Sequence, residues 1–77
     1  MQTDRKIEYT VRRTIAERLS RLRQEHGLSR ESLSKATGIP MSTIRTWELG
    51  LRSPPVVGVV TLARHYGVTM DYLLGLE

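Results

Sequence analysis

Regularly spaced glycines divide this chain into intervals that each have the length of a short helix. Five of its six glycines stand at Gly27, Gly38, Gly50, Gly67 and Gly75, and Pro54 and Pro55 mark a further boundary. Glycine and proline both interrupt regular structure, so long uninterrupted elements are disfavoured after position 27. With 77 residues the chain forms one domain at most, and we expect a thin core, with only about 60–65% of the unfolded chain's surface buried.

The apolar residues within these intervals recur with the period of a helix. Ile15, Leu19 and Leu22 are spaced by four and three residues, which predicts an amphipathic helix from Thr14 to His26. Thr14 followed by Glu17 has the spacing of a capping box, and Gly27 is a natural left-handed stop. We therefore expect the first helix to begin at Thr14.

Four further short helices are expected, each with its own start or stop signal. Ser29 caps the second helix, in which Leu33 and Ala36 point inward, and Gly38 ends it. The third runs from about Met41 to Leu49. The fourth starts near Pro55, and Thr69 caps the last. The apolar residues along these last two helices include Val56, Val59, Leu62, Ala63, Tyr66, Leu73 and Leu74.

The segment from Lys6 to Arg12 follows another pattern. Ile7, Tyr9 and Val11 alternate with polar residues, which favours a strand over a helix. The fold class predicted is therefore all-α: a compact bundle of about five short helices with a central helix-turn-helix, preceded by an N-terminal extension that forms a strand. Residues 1–13 would be that extension, an arm or a dimerisation strand, and residues 14–75 the helical domain.

Charge and composition limit the function classes. The net charge is +4, and the basic residues are mostly Arg, whose planar fork suits phosphates and guanine edges. An ordinary solvated helix face with paired charges explains the same composition, and composition alone leaves both interpretations open. The absence of cysteine excludes disulfides and thiol chemistry, and with no apolar run at the start of the chain it favours a cytoplasmic protein without a membrane span.

The stretch from Ser29 to Gly50 has the form of two short helices joined by a tight turn. Ile44 and Trp47 mark the buried side of the second of these helices, and Trp47 is interpreted as a core residue. The outward residues are then Ser42, Arg45, Thr46 and Leu49, with Met41 at the margin of this face. A polar face on a helix held by its apolar back is what the DNA major groove accepts.

Catalytic and metal-binding patterns are missing from the sequence. It contains no phosphate loop, nucleophile elbow or metal-ligand cluster, and His26 and His65 lack ligands at suitable spacing. Glu48 has no second carboxylate on its helix face. We therefore expect no enzyme activity, cofactor, metal or small-molecule ligand.

Three stretches together resemble the phage-repressor and Cro-type helix-turn-helix family. They are "LRQEHGLSRESLSKATGI", "STIRTWELG" and "LARHYGVTMDYLLG", and the resemblance covers about residues 15–75. It implies a DNA-binding transcription regulator, most simply a repressor. By the same resemblance, Arg23 and Glu48 form a structural ion pair. The base-reading residues would be Met41, Ser42, Arg45 and Thr46. The phosphate-binding residues would be Ser29, Arg30, Thr43, Arg52 and Ser53.

The chain departs from the family pattern at three positions. Ser34 replaces a usual alanine, Thr37 a usual aliphatic residue, and Pro40 a usual capping Ser or Thr. Residues 1–13 have no counterpart in the shared pattern. Loss of a cap typically costs ~1 kcal/mol, so the first turn of the third helix is where the departure matters most.

A single short recognition helix contacts few base pairs, so we expect a two-fold homodimer on a palindromic operator in double-stranded DNA. The interface would use Val56 and Val57 with Met70 and Leu76, or the N-terminal strand. A second function class, a protein-interaction module such as an antitoxin or accessory factor, stays open because the valines at 56, 57, 59 and 60 exceed one inward face. RNA binding is disfavoured because aromatic residues are few.

Overall fold

A single long helix begins the fold, and four short helices pack along its second half. The structure is a computed structural model that describes the backbone of residues 2–77 and the side chains from Arg5 onward. The helices are α1 (Gln2–Glu25), α2 (Arg30–Thr37), α3 (Met41–Glu48), α4 (Val56–Tyr66) and α5 (Met70–Leu74). The all-α class and the five-helix bundle with a central helix-turn-helix are confirmed.

The predicted strand from Lys6 to Arg12 is wrong, because α1 includes this segment and continues without a break to Glu25. Ile7 and Val11 are four residues apart, so the alternation also fits one helix face, and Ile15 extends that face by another turn. No glycine or proline separates this segment from the rest of α1. Thr14 lies inside the helix and is not its cap.

The other helix boundaries follow the sequence signals closely. The Ser29 hydroxyl accepts a hydrogen bond from the Ser32 amide (3.0 Å), and Thr69 caps α5 through the Tyr72 amide (2.9 Å). Pro40 precedes α3 and supplies no side-chain cap. Leu33 is buried as expected, whereas Ala36 is exposed. An eight-residue helix therefore reaches the core chiefly through one leucine.

The core lies between the second half of α1 and the other four helices. Its buried members are Ile15, Leu19, Leu22, Leu33, Ile44, Trp47, Val59, Leu62, Ala63, Tyr66 and Leu73. Val56, at the start of α4, is 71% exposed. Within the described residues, no helix combines the length and hydropathy that crossing a membrane requires.

Trp47 attaches α3 to the start of α4. A Cβ atom built on Gly58 would lie 2.6 Å from the Cη2 atom of Trp47, so only glycine allows the two helices to approach this closely. The ring of Trp47 is 8% exposed, which agrees with its interpretation as a core residue and not as a base-stacking platform. This contact fixes the back of α3 and leaves its front open.

The N-terminal half of α1 extends beyond this core. Its 24 residues span about 36 Å at ~1.5 Å per residue, close to the 39 Å longest dimension of the molecule. Residues 5–10 are all exposed, and Val11 is the first residue with a described side chain in α1 that packs against the core. The division into residues 1–13 and 14–75 stays a prediction, although the helix crosses it unbroken.

Candidate nucleic-acid interface

The two sides of α3 differ sharply in exposure. Ile44 and Trp47 are buried on the inner face, where they contact α1, α2 and α4. On the outer face Ser42 and Arg45 are exposed, and Met41 retains half of its accessible surface. The structure therefore places Met41, Ser42 and Arg45 together on the surface, with half-buried Thr46 at their edge.

The hydroxyl of Thr46 is already used within the helix. It donates a hydrogen bond to the carbonyl oxygen of Ser42, one turn earlier, at 2.9 Å. With the hydroxyl directed along the helix, the methyl group is the part of Thr46 left for a contact outside it. Thr46 thus offers an apolar surface beside the polar side chains of Ser42 and Arg45.

Glu48 forms the shortest ion pair among the described residues, with Arg23. Its Oε2 atom lies 2.8 Å from Nε of Arg23, and its Oε1 atom lies 3.0 Å from Nη2 of the same residue. The side chain of Glu48 is only 1% exposed and that of Arg23 is 14% exposed. The hydrogen bonds that Arg23 donates to the Glu48 carboxylate raise the pKa of the Arg23 guanidinium above its ordinary value, although burial opposes this shift.

The other end of the Arg23 fork holds the connection between α1 and α2. Its Nη1 atom donates to the carbonyl oxygen of Leu28 at 2.9 Å, immediately before the Ser29 cap. Arg23 therefore joins three parts of the site: α1, the start of α2 and the end of α3. A bidentate pair with an additional backbone contact fixes both distance and orientation.

Sequence reasoning missed that Glu48 holds a second arginine. The Nε atom of Arg30 donates to Oε1 of Glu48 at 3.0 Å, and the Arg30 side chain is 32% exposed. Arg30, placed among the phosphate-binding residues, is thus anchored through Nε while it remains partly open to solvent. Two guanidinium groups on one carboxylate leave the cluster with a net positive charge.

A cleft of about 610 Å³ opens between the starts of α2 and α3. Its walls include five of the residues predicted to contact DNA: Ser29, Arg30, Met41, Ser42 and Arg45. Arg23 and Glu31 complete the lining, so three arginines and one acidic side chain face the cleft. The balance of charge favours an anionic partner.

A smaller groove of about 210 Å³ lies on the other side of Ser42. Thr43, Thr46 and Arg52 line this groove with Ser42 and Trp47, so the structure groups three more of the predicted residues. Ser53 is exposed in the loop beyond Arg52 but lines neither cavity.

α1 holds the segment that follows α3. The Nε atom of Arg12 donates to the carbonyl oxygen of Gly50 at 2.9 Å, just before Leu51, Arg52 and Ser53. A Cβ atom on Gly50 would lie 3.3 Å from Nη1 of Arg13, and the positive φ of +74° also favours glycine there. Arg12 and Arg13 therefore flank the end of α3.

No group of three or more potential metal-ligating side chains occurs within the described part of the chain. The buried hydroxyl of Tyr66 forms no hydrogen bond with the described residues. Burial raises the pKa of Tyr66 to about 12, and the Glu48 carboxylate acts in the same direction.

Comparison with known proteins gives a consistent result. A family model described as helix-turn-helix matches residues 19–73. An uncharacterised HTH-type transcriptional regulator of Bacillus subtilis, YobD, is 42% identical over 60 residues, which cover 78% of this chain and 54% of YobD. An uncharacterised HTH-type transcriptional regulator of Sinorhizobium fredii, y4dJ, is 30% identical over 59 residues, 77% of each chain. No solved structure gives a significant match. The chain spans about half the length of YobD.

Proposed function

Because the chain belongs to the helix-turn-helix family, we propose that it is a sequence-specific DNA-binding regulator of transcription, with α3 as its recognition helix. The observation that carries this proposal is the exposed outer face of α3, whose inner face is fixed by Trp47 and Glu48. A preorganised helix with a free polar side is suited to the major groove.

Four residues on or beside this face read bases. Arg45 places two guanidinium nitrogens against O6 and N7 of a guanine, and Ser42 donates or accepts a hydrogen bond. The methyl of Thr46 and the side chain of Met41 contact thymine methyl groups. The hydrogen bond from Thr46 to the Ser42 carbonyl supports this role because it leaves the methyl outward.

Phosphate contacts flank the base-reading face. Arg30 and Ser29 lie at the start of α2 along the larger cleft, and Thr43 and Arg52 line the smaller groove. Ser53 adds a hydroxyl in the same exposed loop as Arg52. These contacts hold the protein on the duplex and fix its register without reading sequence.

The protein acts as a two-fold dimer on a palindromic operator and represses transcription by occupying it. A dimer supplies the second recognition helix that one half-site lacks. Val56 and Val57 support an interface at the start of α4, since 71% and 75% of their surface is exposed. Leu76, also 71% exposed, and half-buried Met70 extend it from the C-terminal side.

The same exposed valines favour the second candidate function, a protein-interaction module of the antitoxin or accessory type. Chemical cross-linking with and without operator-like DNA separates the two functions. A DNA-binding dimer gives cross-links between identical chains that DNA strengthens. A module whose main partner is another protein binds duplex DNA weakly and without base preference.

One binding series tests the assignment of the DNA face. Arg45→Ala and Arg52→Ala are titrated against a randomised duplex library at two salt concentrations. We expect Arg45→Ala to cost about 1–3 kcal/mol and to relax preference at one base pair per half-site. Arg52→Ala should weaken all sequences alike and reduce the salt slope by roughly one. Base preference that survives Arg45→Ala but shifts with Arg52→Ala would reverse the assignment.

A further inference from the structure

The N-terminal half of α1 carries a concentration of positive charge that the proposed function leaves unused. Residues 5–13 contain four basic side chains, Arg5, Lys6, Arg12 and Arg13, and a single acidic one, Glu8. This segment is helical and extends beyond the core. Its charge is therefore presented on a rigid element.

The basic residues lie on one side of α1. Arg5 and Arg12 are seven residues apart, as are Lys6 and Arg13, and residues at this spacing differ by only about 20° around a helix. Tyr9 lies between the two pairs, and its ring centroid is 5.6 Å from the Arg12 guanidinium carbon. The four cations and Tyr9 thus form one continuous strip, which we call the basic strip.

Contacts farther along α1 show which way this side faces. Arg12 donates to the carbonyl oxygen of Gly50, and Ala16, one turn on, would lie 3.5 Å from a Cβ atom there. Farther along the same face, Arg23 binds Glu48 of α3. The basic strip therefore lies on the side of α1 that faces the end of α3 and the loop of Arg52.

The apolar residues of the same segment lie on another side. Ile7 and Val11 continue toward Thr14, whose Cγ2 atom would lie 2.9 Å from a Cβ on Gly75, at the end of α5. The Arg18 guanidinium carbon lies 4.4 Å from the ring centroid of Tyr72, which also places α5 beside this face. The charged side of α1 therefore faces the end of α3, whereas its apolar side faces α5.

We infer that the basic strip binds the DNA backbone next to the phosphates contacted by Arg52, and so extends the protein's contact with each half-site. This inference rests on the proposed function, because it continues the same interface. Residues 5–13 span about 14 Å at ~1.5 Å per residue. At ~3.4 Å of rise per nucleotide along the duplex axis, this length covers about four nucleotides of one strand.

The side chains of the strip are free enough to bind phosphates. Arg5 and Lys6 are exposed, and the pair between Arg13 and Glu17 is long (3.7 Å), with 46% and 64% of the two side chains exposed. Such a pair contributes little, so a phosphate oxygen can replace Glu17 at low cost. The Nε atom of Arg12 donates to the Gly50 carbonyl oxygen, which leaves its Nη atoms for a phosphate contact.

The test compares two double variants of equal charge. Arg5→Gln with Lys6→Gln removes the outer end of the strip and leaves Arg12 on Gly50. Arg21→Gln with Arg64→Gln removes two exposed cations elsewhere. Arg21 lies about 200° around α1 from Arg23, away from α3. Affinity for operator and for random duplex is measured by fluorescence anisotropy over a salt series.

For the strip variant we expect affinity per half-site to fall roughly 10- to 100-fold at ~0.1 M salt, for operator and random duplex alike, with a salt slope about 1.8 smaller for each bound subunit. Base preference should stay that of the wild type, and the control variant should keep the wild-type slope. A wild-type slope in the strip variant, or an altered base preference, would overturn the inference. A higher monomer fraction with an unchanged salt slope would also overturn the inference, because the strip would then contact a second copy of the chain and not DNA.

Arg45→Ala, measured beside these variants, separates the two proposals. If Arg45→Ala loses base preference while the strip variant keeps its slope, only the strip is wrong. If the strip variant loses slope while Arg45→Ala keeps base preference, the strip stands and the assignment of α3 falls. Failure of the wild-type chain to bind any duplex would overturn both.

Discussion

The inner and outer faces of α3 use arginine and its partners in opposite ways. On the inner face, Arg23 is held by two hydrogen bonds to Glu48 and is 14% exposed. On the outer face, Arg45 lines an open cleft, with no carboxylate of the described residues within salt-bridge distance. The comparison teaches that the inner face stabilises the position of α3, while the outer face is left open for the proposed contacts with DNA.

The largest effect should come from removing the carboxylate of the inner face. Glu48→Ala leaves Arg23 and part of Arg30 without their shared partner, and we expect a loss of about 3–5 kcal/mol in unfolding free energy. In a domain of this size, that corresponds to a decrease of at least about 12 °C in Tm. Thermal denaturation followed by circular dichroism measures it.

Glu31→Ala is the matched control for Glu48→Ala. Glu31 forms an exposed i,i+4 pair with Lys35 at 3.9 Å, so its removal should cost less than about 1 kcal/mol. Equal melting temperatures for the two variants would show that burial of Glu48 adds nothing.

Gly58→Ala should have the next largest effect, because it displaces Trp47 from the inner face. The added methyl would overlap the indole ring, and overpacking of this kind costs about 1–3 kcal/mol. Urea denaturation gives the change, with Arg64→Ala as the exposed control in the same helix. A Gly58→Ala variant as stable as the wild type would mean that Trp47 can shift freely.

Alkaline pH should weaken the inner face through Tyr66. Its pKa of about 12 in the folded state exceeds the ordinary value, so the folded protein retains a proton between about pH 10 and 12 that the unfolded chain releases. The contribution of Tyr66 to the free energy of unfolding is therefore constant below pH 10 and declines by about 2 kcal/mol as the pH approaches 12.

Tyr66→Phe isolates this contribution. The variant lacks both the titrating proton and a buried hydroxyl without a protein partner, so its stability at neutral pH should equal or slightly exceed that of the wild type. The two proteins are compared by urea denaturation from pH 8 to 11.5. Parallel pH profiles would show that Tyr66 does not cause the decline.

Arg30 connects the two faces and allows a sharper test. In the wild type, Nε of Arg30 binds Glu48, and the side chain lines the cleft. Arg30→Lys keeps the positive charge but has no second nitrogen with which to do both. We expect about a tenfold loss in DNA affinity, equivalent to ~1.4 kcal/mol. Arg52→Lys, at an exposed position, should lose far less. If the two lysine variants bind equally, then anchoring by Glu48 does not help Arg30.

The smallest effect on stability should come from the outer face itself. Arg45→Ala should change the unfolding free energy by less than about 0.5 kcal/mol, since the side chain is exposed and only its binding role is lost. Differential scanning calorimetry of the free protein checks this value. A large decrease in Tm would mean that the two faces are not independent.

The five-helix fold was predictable because local signals agreed with packing. Ser29, Thr69 and the glycines after α2 and α4 end or cap their helices where expected. The start of α1 was not predictable from alternation, because Ile7 and Val11 satisfy a period of two and a spacing of four equally. The helix prevails since no residue interrupts it before Gly27 and Val11 gains contact with the core.

The site was predictable in position but not in its connections. The helical period of Ile44 and Trp47 identified the outer face of α3, and the family resemblance paired Arg23 with Glu48. The hydrogen bond from Arg30 to Glu48 depends on the angle between α2 and α3, and the one from Arg12 to Gly50 depends on how α1 crosses the end of α3. The spacing of residues along the sequence does not determine either angle.

The shared carboxylate of Glu48 has a consequence for how such a regulator can diverge. Replacing Glu48 leaves two arginines without their carboxylate partner, so three positions on three helices must change together to replace this cluster. Ser42 and Arg45 make no comparable demand, and each can be exchanged alone. Under the proposed function, new operator preferences can therefore accumulate by single substitutions at the outer face, whereas replacing the Glu48 cluster requires several simultaneous substitutions.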